Sequence, residues 1–574
     1  MKNNTATFNR ILLLTALAAL LIAPLAAADV TIPDPGLESA LRYILGLGPI
    51  TEAALARITN LNASYQDITD LTGLEYCTNL TALNLHWNQV SDLAPLAGLT
   101  RLTELDLQYN QVNDLTPLQG LTGLMKLDLL TNQVSDLTPL QPLTSLTELN
   151  LWGNQVSDLT PLQSLTSLTN LSLYENQISD LTGLQGLTRL TSLHLAANQI
   201  SDVTPLQGLT SLTDLYLYRN QISDITPLQG LTNLEALSLA ENQISDITLL
   251  QGFTNLTVIQ LQDNQISDLA PLQLLTSLTR LYLSENQISD LAPLQGLTAL
   301  EWLYLDDNQV RDLAPLQYLP SVAKLNLEKN LISDLTPLQG LTNLTWLNLQ
   351  RNHIHDLAPL QGLTSLHVLA LSNNQIRDLA PLNSLTALTS LSLRNNQITN
   401  FAPLQGLTGL WDLDLKNNQI TDLPPLDKLT NLVSLHLSMN CISDLSSLFT
   451  LPTLAQIYIS LNPLSNTAIH EQIPLLEEIG IRVEFYIYSD FYCPVSEGET
   501  EGEGEGEGEQ FHPGDTDADN RIIMGEAIAY LAGWQQGGNP MAYSIRAVYI
   551  LQKGEGYMYD AGQAPPMCWV PAVE

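Results

Sequence analysis

The stretch LTSLTDLYLYRNQISDITPLQG, residues 209–230, is one clean copy of a unit that recurs along most of the chain. Its asparagine, Asn220, belongs to a column of 18 asparagines that step by 22 residues from Asn88 to Asn462. A degenerate copy precedes them, with Gln66 in the asparagine column. An unbroken period of this length predicts a solenoid, in which each repeat packs only against its neighbours.

Each half of the unit predicts its own local structure. The alternation of leucine and tyrosine over residues 215–218 predicts a strand with one buried and one exposed face. Asn220 can bond backbone groups that a turn leaves free, so its repetition predicts an internal ladder of asparagines. In the second half, SDITPLQG, Ser223 and Asp224 suit the capping of backbone N–H groups, and Pro227 cannot serve a central strand. We therefore expect a short irregular or 3₁₀ turn there.

The pattern L-x-x-L-x-L-x-x-N-x-I/L, with turns such as NQISDITPLQGLT, resembles the bacterial internalin-like class of leucine-rich-repeat proteins over roughly residues 30 to 490. The resemblance implies an α/β solenoid: a right-handed leucine-rich-repeat horseshoe with parallel concave strands, short 3₁₀ or irregular convex turns, and a cap at each end. It also implies a ligand-binding scaffold whose specificity depends on the exposed strand positions.

Six segments are expected along the chain: a signal peptide over 1–28, an N-terminal cap over 29–60, leucine-rich repeats over 61–462, a C-terminal cap over 463–490, a Glu/Gly linker over 494–510 and a tail over 511–574. The signal peptide is predicted by Lys2 and Arg10, an apolar run and the small residues before Asp29. We expect a secreted or cell-surface protein without a membrane span in its mature chain.

The tail carries the sharpest chemical motif, HPGDTDADNRIIMGE. Asp515, Asp517 and Asp519 occupy loop positions 1, 3 and 5, Arg521 offers its carbonyl at position 7, and Glu526 falls at position 12. Hard oxygen donors at these spacings predict a Ca²⁺ site, the alternative being an acidic capped turn without metal. The segment resembles half of a dockerin domain, which implies a small helical tail domain and a cohesin-like partner. A second calcium loop, present in dockerins, is missing.

The formal net charge of −38 follows largely from the repeat. An aspartate stands four residues after each ladder asparagine, first replaced at Asn400, and seven glutamates lie between Glu497 and Glu509. Without a basic stripe to neutralise phosphates, nucleic acid is not an expected partner. No nucleophile elbow, phosphate loop or zinc signature is visible, and we expect the protein not to be an enzyme.

The four cysteines are far apart in sequence. Cys77 and Cys441 are separated by about 16 repeats, or roughly 75 Å at strand spacing. A disulfide requires Cα atoms within about 7 Å, so these two cannot pair, and we expect each to be a lone small residue. Cys493 and Cys568 flank the linker and the tail, and whether they form a bridge is left open.

Large aromatic residues occupy many exposed positions beside the strand leucines. Because Trp and Tyr dominate interface hot spots, these residues predict a concave binding surface for a protein or glycan ligand. The predicted ligand-binding residues are Trp152, Tyr174, Tyr216, Tyr218, Tyr282, Trp302, Tyr304 and Trp346. Strands also favour aromatics for packing alone, which would leave a structural spacer or surface-layer protein without a specific ligand. A third hypothesis is a non-catalytic subunit of a dockerin-assembled complex.

Overall fold

The computed structural model describes residues 29–486 and the backbone of two short segments near the C-terminus, 557–559 and 569–571. The chain divides into two units, Met1–Pro494 and Val495–Glu574. The predicted signal peptide, the Glu/Gly linker and the calcium-loop residues lie outside the described residues. Those three assignments therefore stay predictions.

Twenty short strands in the first unit form one parallel sheet, and each strand pairs with the next along the sequence. From β1 to β19 the pairing offset is 22 residues, so equivalent residues of adjacent repeats become direct neighbours, as Tyr282 and Tyr304 do. The strands are β1 Asn60–Asn62, β2 Ala82–Asn84, β3 Glu104–Asp106, β4 Lys126–Asp128, β5 Glu148–Asn150, β6 Asn170–Ser172, β7 Ser192–His194, β8 Asp214–Tyr216, β9 Ala236–Ser238, β10 Val258–Gln260, β11 Arg280–Tyr282, β12 Trp302–Tyr304, β13 Lys324–Asn326, β14 Trp346–Asn348, β15 Val368–Ala370, β16 Ser390–Ser392, β17 Asp412–Asp414, β18 Ser434–His436, β19 Gln456–Tyr458 and β20 Arg482–Glu484.

The core is a continuous column of aliphatic side chains that extends from Ile32 to Ile481. Every strand buries its middle residue or holds it largely covered, as with Leu215 of β8, which lies between the half-buried Asp214 and Tyr216. A fully buried leucine contributes about 1.5–3 kcal/mol, but a single repeat exposes its flanks to water. A repeat is therefore stable only when it packs against its neighbours, as the 22-residue period predicts.

On the opposite side of the core, each repeat between β1 and β19 except the one after β17 makes a short 3₁₀ helix, which confirms the turn predicted from SDITPLQG. In the repeat of Asn220, Asp224 Oδ1 accepts a hydrogen bond from the Thr226 N–H at 2.8 Å. The 3₁₀ helices are Leu74–Tyr76, Ala94–Leu96, Thr116–Leu118, Thr138–Leu140, Thr160–Ser164, Thr182–Leu184, Thr204–Leu206, Thr226–Gly230, Thr248–Gly252, Ala270–Leu272, Ala292–Gly296, Ala314–Tyr318, Thr336–Leu338, Ala358–Leu360, Ala380–Ser384, Ala402–Gly406 and Ser446–Thr450.

One repeat departs from this pattern at Pro424. Proline has no N–H, so Asp422 cannot receive the capping hydrogen bond that its equivalents receive. No 3₁₀ helix forms between β17 and β18, and Leu423, whose equivalents are buried, is only partly covered.

The predicted asparagine ladder is confirmed. The side chain of Asn308, for example, accepts from the Ile288 N–H at 2.9 Å and donates to the carbonyls of Leu283 and Leu305 at 2.9 and 3.1 Å. Each ladder asparagine thus satisfies backbone groups of its own repeat and of the preceding one. These groups are buried, and without the asparagine they would have no partner from the strand pairing.

The residue before each ladder position adopts a left-handed backbone conformation, which the sequence did not predict. Its φ lies between 50° and 58° at every non-glycine example, including Trp87 and the β-branched Thr131, and is 67° at Gly153. The conformation is imposed by neighbouring repeats, since the N–H at this position donates to the next repeat, as Trp87 N does to the Gln108 carbonyl at 2.9 Å. Many residue types are therefore accepted at this position, and the sequence does not reveal its left-handed conformation.

Two helices cover the first strand, in agreement with the predicted helical spacing. Helix α1, Pro35–Leu45, begins after Asp34, whose Oδ1 accepts from the N–H groups of Gly36 and Leu37. The other carboxylate oxygen of Asp34 accepts from the Thr69 N–H at 2.8 Å and so ties the cap to the first repeat. Helix α2, Glu52–Leu55, starts at the predicted cap Thr51.

At the other end, a π-helical turn over Ala468–Gln472 leads into helix α3, Ile473–Glu478, and then into β20, which pairs with β19. The change in helix type falls beside Pro474, which cannot donate a hydrogen bond. Gln472 fixes the cap by accepting from the Leu445 N–H at 2.8 Å and donating to Asp444 at 2.6 Å. None of the helices among the described residues is long and apolar enough to cross a membrane.

The cysteines behave differently from one another. Cys77 is a free, buried thiol, as expected. Cys441 is disulfide-bonded, and its partner lies outside the described residues. The prediction that Cys441 is a lone small residue was therefore wrong. The distance argument excluded only a disulfide with Cys77 and did not apply to the other cysteines.

The described part of the second unit is a pair of antiparallel strands, β21 Tyr557–Tyr559 and β22 Trp569–Pro571. The predicted helices of the tail, and the residues Cys493 and Cys568, lie outside the described residues.

Candidate ligand-binding surface on the concave face

The concave face is the exposed side of the sheet β1–β20. It is formed by the first and third residue of each strand and by the two positions that precede each ladder asparagine, and most of these residues are half-buried or exposed. Because the strands pair in register, side chains 22 residues apart in sequence stack along this face. Residues at the same position of successive repeats therefore form columns that run across the strands.

Trp302 lies at the centre of the face, between two cations. The guanidinium carbon of Arg280 lies 4.2 Å from the centroid of the indole ring, and Lys324 Nζ lies 4.1 Å from it. All three residues are the first residues of consecutive strands, β11 to β13. Both cations are attracted to the ring faces, which holds the indole upright on the sheet.

A row of aromatic rings runs beside Trp302. The rings of Tyr282 and Tyr304 stack with centroids 5.0 Å apart, and Tyr304 stacks on Trp346 at 6.1 Å. Tyr304 and Trp346 lie two strands apart: on the intervening strand β13, Tyr304 pairs with Asn326 and Trp346 pairs with Lys324. We call Arg280, Tyr282, Trp302, Tyr304, Lys324 and Trp346 the central cluster.

Hydrogen-bonded carboxylates border the central cluster. Asp306 accepts from Ser284 Oγ at 2.5 Å and from Asn326 Nδ2 at 2.7 Å. Burial raises the pKa of Asp306, although the hydrogen bond from Ser284 acts in the opposite direction. One strand further, Glu328 accepts from Asn348 Nδ2 at 2.8 Å. The central region thus displays fixed cations, aromatic faces and carboxylates within a few strands of one another.

The other predicted aromatics form a second group over β5 to β8. The rings of Trp152 and Tyr174 meet edge to face at 4.7 Å, and Tyr174 contacts Tyr218 at 5.7 Å. Burial and the neighbouring Tyr174 raise the pKa of Tyr218 to about 12. Tyr216 packs on His194 at 4.2 Å, and burial lowers the pKa of that histidine.

The eight predicted residues therefore divide into two groups of four. The repeats between them carry small or polar residues at the same positions, among them Ala236, Ser238, Ala240 and Gln262. A continuous aromatic floor does not form, because stacking across the sheet requires rings in adjacent or next-adjacent repeats.

A third aromatic group was missed by the sequence reasoning. Tyr65, Trp87 and Tyr109 stack in succession, with centroids 5.9 and 4.6 Å apart, and His86 packs against them. They occupy the left-handed position before the ladder residue, which the search for positions beside strand leucines did not include. Their spacing of 22 residues in sequence was the available signal.

No group of three or more His, Cys, Asp or Glu residues suited to a metal ion occurs within the range that the structure describes. The predicted calcium ligands Asp515, Asp517, Asp519, Arg521 and Glu526 lie outside that range.

Solved structures with similar folds come from bacteria and plants. An internalin, InlF, from Listeria monocytogenes is 35% identical, with a TM-score of 0.52, over 61% of this chain and 100% of its own. A leucine-rich-repeat protein of Leptospira interrogans is 24% identical, with a TM-score of 0.55, over 71% of this chain and 97% of its own. The leucine-rich-repeat ectodomain of the membrane receptor kinase GASSHO1/SCHENGEN3 from Arabidopsis thaliana is 22% identical, with a TM-score of 0.57, over 72% of this chain and 56% of its own.

A comparison with curated proteins found no match. Family models of leucine-rich repeats match the chain repeatedly. The model described as two copies of the repeat matches residues 100–142, 144–186, 188–230, 232–274, 342–384, 364–406, 386–428 and 412–469, and two further leucine-rich-repeat models match 254–310 and 76–93. The two-copy matches alone span more than half of the 574 residues. On its repeat, its parallel sheet and these matches, the chain belongs to the leucine-rich-repeat family.

Proposed function

We propose that this protein is a non-enzymatic binding module that recognises a protein ligand on its concave face, through the central cluster. The observation that carries the proposal is the indole of Trp302 held between Arg280 and Lys324. Trp, Tyr and Arg are the residue types that dominate interface hot spots, and here they stand on a sheet whose strands fix their positions. A surface ordered before binding loses little conformational entropy when a ligand docks.

The charges of this region favour a protein over a neutral glycan. Arg280 and Lys324 belong to β11 and β13, and the carboxylates of Asp306 and Glu328 follow β12 and β13, so both signs of charge are displayed within a few strands. A protein surface can complement such a pattern of mixed charges, whereas an uncharged sugar has no negative charge to pair with the cations. The plant ectodomain named above was solved in complex with CASPARIAN STRIP INTEGRITY FACTOR 2, although at its level of identity the likeness supports the fold alone.

We further propose that the protein acts outside the cell, secreted or at the surface, with the tail as its means of attachment. The signal-peptide pattern at 1–28 supports export. The spacing of Asp515, Asp517, Asp519 and Glu526 supports a Ca²⁺-binding tail, which could also take a cohesin-like partner.

The proposal is tested by capture from an extracellular protein extract. The full chain is immobilised beside a Trp302→Ala, Tyr304→Ala, Trp346→Ala triple variant. One portion of the extract is left intact, a second is digested with protease, and a third is oxidised with periodate to destroy glycans. We expect the wild type to retain a component that is lost on protease digestion, that survives periodate, and that the triple variant does not hold.

The matched control is a Tyr318→Ala, Trp411→Ala variant, which removes two exposed aromatics that lie outside the three aromatic groups. It should retain the component as the wild type does. If the triple variant retains it equally, or nothing specific is held, the solenoid is a spacer or surface-layer element. A component that is lost on periodate treatment alone would indicate a glycan ligand.

A further inference from the structure

The aromatic stack at the N-terminal end of the solenoid is exposed to solvent. The exposed fractions of Tyr65, Trp87 and Tyr109 are 65%, 49% and 38%. Their ring planes are nearly parallel from Tyr65 to Trp87, at 11°, and remain stacked from Trp87 to Tyr109, at 28°. Because these three rings are exposed, packing in the hydrophobic core does not account for aromatic residues at this position.

The backbone beneath the stack is rigid. The N–H groups of Tyr65, Trp87 and Tyr109 donate to carbonyls of the following repeat at 3.0, 2.9 and 2.8 Å. His86 braces the rings, with Nε2 3.3 Å from Tyr65 Oη and an edge-on contact with Tyr109. The ring faces are thus held in place before any ligand arrives.

A groove of about 620 Å³ extends over β1 to β7, and acidic residues line part of it. His86, which packs against the rings of the stack, lies 3.9 Å from Asp106 in the lining of this groove. The lining includes four acidic residues, Glu104, Asp106, Asp128 and Glu148. It also includes Lys126, whose ammonium group pairs with Glu148 at 3.0 Å. Asp106 and Asp128 are direct partners in the sheet. In the described part of the chain, the one ionisable base within 4 Å of this pair is His86, 3.9 Å from Asp106.

The groove continues to the N-terminal cap. A second hollow of about 540 Å³ shares Asn60 and Asn62 with the first and reaches Tyr43 and Ile44 on helix α1. Tyr43 is 94% exposed, and Leu47, just after the helix, is 98% exposed. An extended segment could therefore cross β1 to β7 on the face of the sheet and place apolar side chains at the cap.

We propose that the stack of Tyr65, Trp87 and Tyr109 and the adjoining acidic groove form a second docking surface, which takes an arginine- or lysine-rich extended segment of a partner protein. Charge complementarity selects this occupant. The carboxylates attract cationic side chains, the outer faces of the stack, on Tyr65 and Tyr109, favour guanidinium and ammonium groups, and an acidic segment would be repelled. This inference does not depend on the central cluster, which lies several repeats away.

The repeat supplies conservative variants for the test. Asparagine occupies the position of Trp87 at 373, 395 and 417 with φ of 57°, 55° and 52°, so Trp87→Asn preserves the backbone. Asparagine also occupies the position of Asp106 and Asp128 at 84 and 150, where its Oδ1 accepts the same local N–H. Asp106→Asn with Asp128→Asn therefore removes two charges and keeps the turn.

Binding is measured by fluorescence anisotropy on the full chain with a short fluorescein-labelled peptide of alternating arginine and serine, at about 50 mM salt, where screening is weak. We expect the wild type to bind, the double aspartate variant to bind about tenfold more weakly, and Trp87→Asn about fivefold more weakly. The Trp302, Tyr304, Trp346 triple variant should bind as the wild type does, which separates this surface from the proposed function.

Two controls at the far end of the sheet test for general attraction to an acidic protein. Asp412→Asn with Asp414→Asn removes the same charge, and Met439→Asn changes the same column as Trp87. Both should leave binding within twofold of wild type. Equal weakening by these controls would overturn the proposal, and so would equal binding of a glutamate–serine peptide or displacement by a neutral glucan oligosaccharide.

Discussion

Replacing Asn308 with alanine should open the solenoid locally. The change removes one hydrogen bond from the Ile288 N–H and two to the carbonyls of Leu283 and Leu305, at 2.9 to 3.1 Å, together with a longer one to the Asp306 carbonyl at 3.2 Å. Ile288, Leu283 and Leu305 are fully buried, so water cannot replace the lost amide. At about 1–2 kcal/mol for each unsatisfied buried group, the expected cost is about 3–6 kcal/mol. Because a repeat contacts only its neighbours, the loss should concentrate around this repeat.

The assay is amide hydrogen exchange of the full chain, followed by mass spectrometry of peptides that cover Ile288. A cost of 3 kcal/mol corresponds to about 100-fold faster exchange of that amide, because each 1.4 kcal/mol is about tenfold. Gln309→Ala, one residue along and exposed, is the control and should change exchange little. Exchange in Asn308→Ala that matches the wild type would refute the view that the asparagine ladder holds the repeats together.

Three further outcomes are expected. Burial raises the pKa of the Cys77 thiol to about 12, so iodoacetamide at pH 8 should not label it until the protein unfolds; rapid labelling of the native chain would contradict its burial. Pro424→Thr should restore the hydrogen bond to Asp422 and raise the free energy of unfolding by about 1 kcal/mol in urea titrations, whereas a loss of stability would show that the proline is itself stabilising. Calcium titration of the full chain by calorimetry should show a binding event that Asp515→Ala with Asp517→Ala removes, and an unchanged isotherm would rule out the loop as the site.

The repeat allowed most of the solenoid to be predicted from sequence. A fixed offset of 22 residues converts sequence columns into spatial neighbours, so the strands, the ladder at Asn308 and the caps at Asp224 could be assigned without a structure. Local chemistry was also sufficient for the helix start at Thr51, because N-capping depends on a few adjacent residues.

Features that depend on neighbouring repeats were not predictable in the same way. The left-handed residue before the ladder is enforced by hydrogen bonds to the next repeat, and it admits residues as different as Trp87, Thr131 and Lys329. The grouping of the aromatics depends on contacts between side chains of different strands, such as the stacking of Tyr304 of β12 on Trp346 of β14. Periodicity identifies the columns, but the side chains within a column decide which of them stack.

The central claim, that the concave face binds a protein through the central cluster, is tested most directly by hydroxyl-radical footprinting of the full chain with and without the captured component. Trp302, Tyr304 and Trp346 should be oxidised in the free protein and protected in the complex, while Tyr318 and Trp411 should be oxidised equally in both. Protection confined to Tyr318, Trp411 or the N-terminal stack, with the central cluster unchanged, would contradict the account.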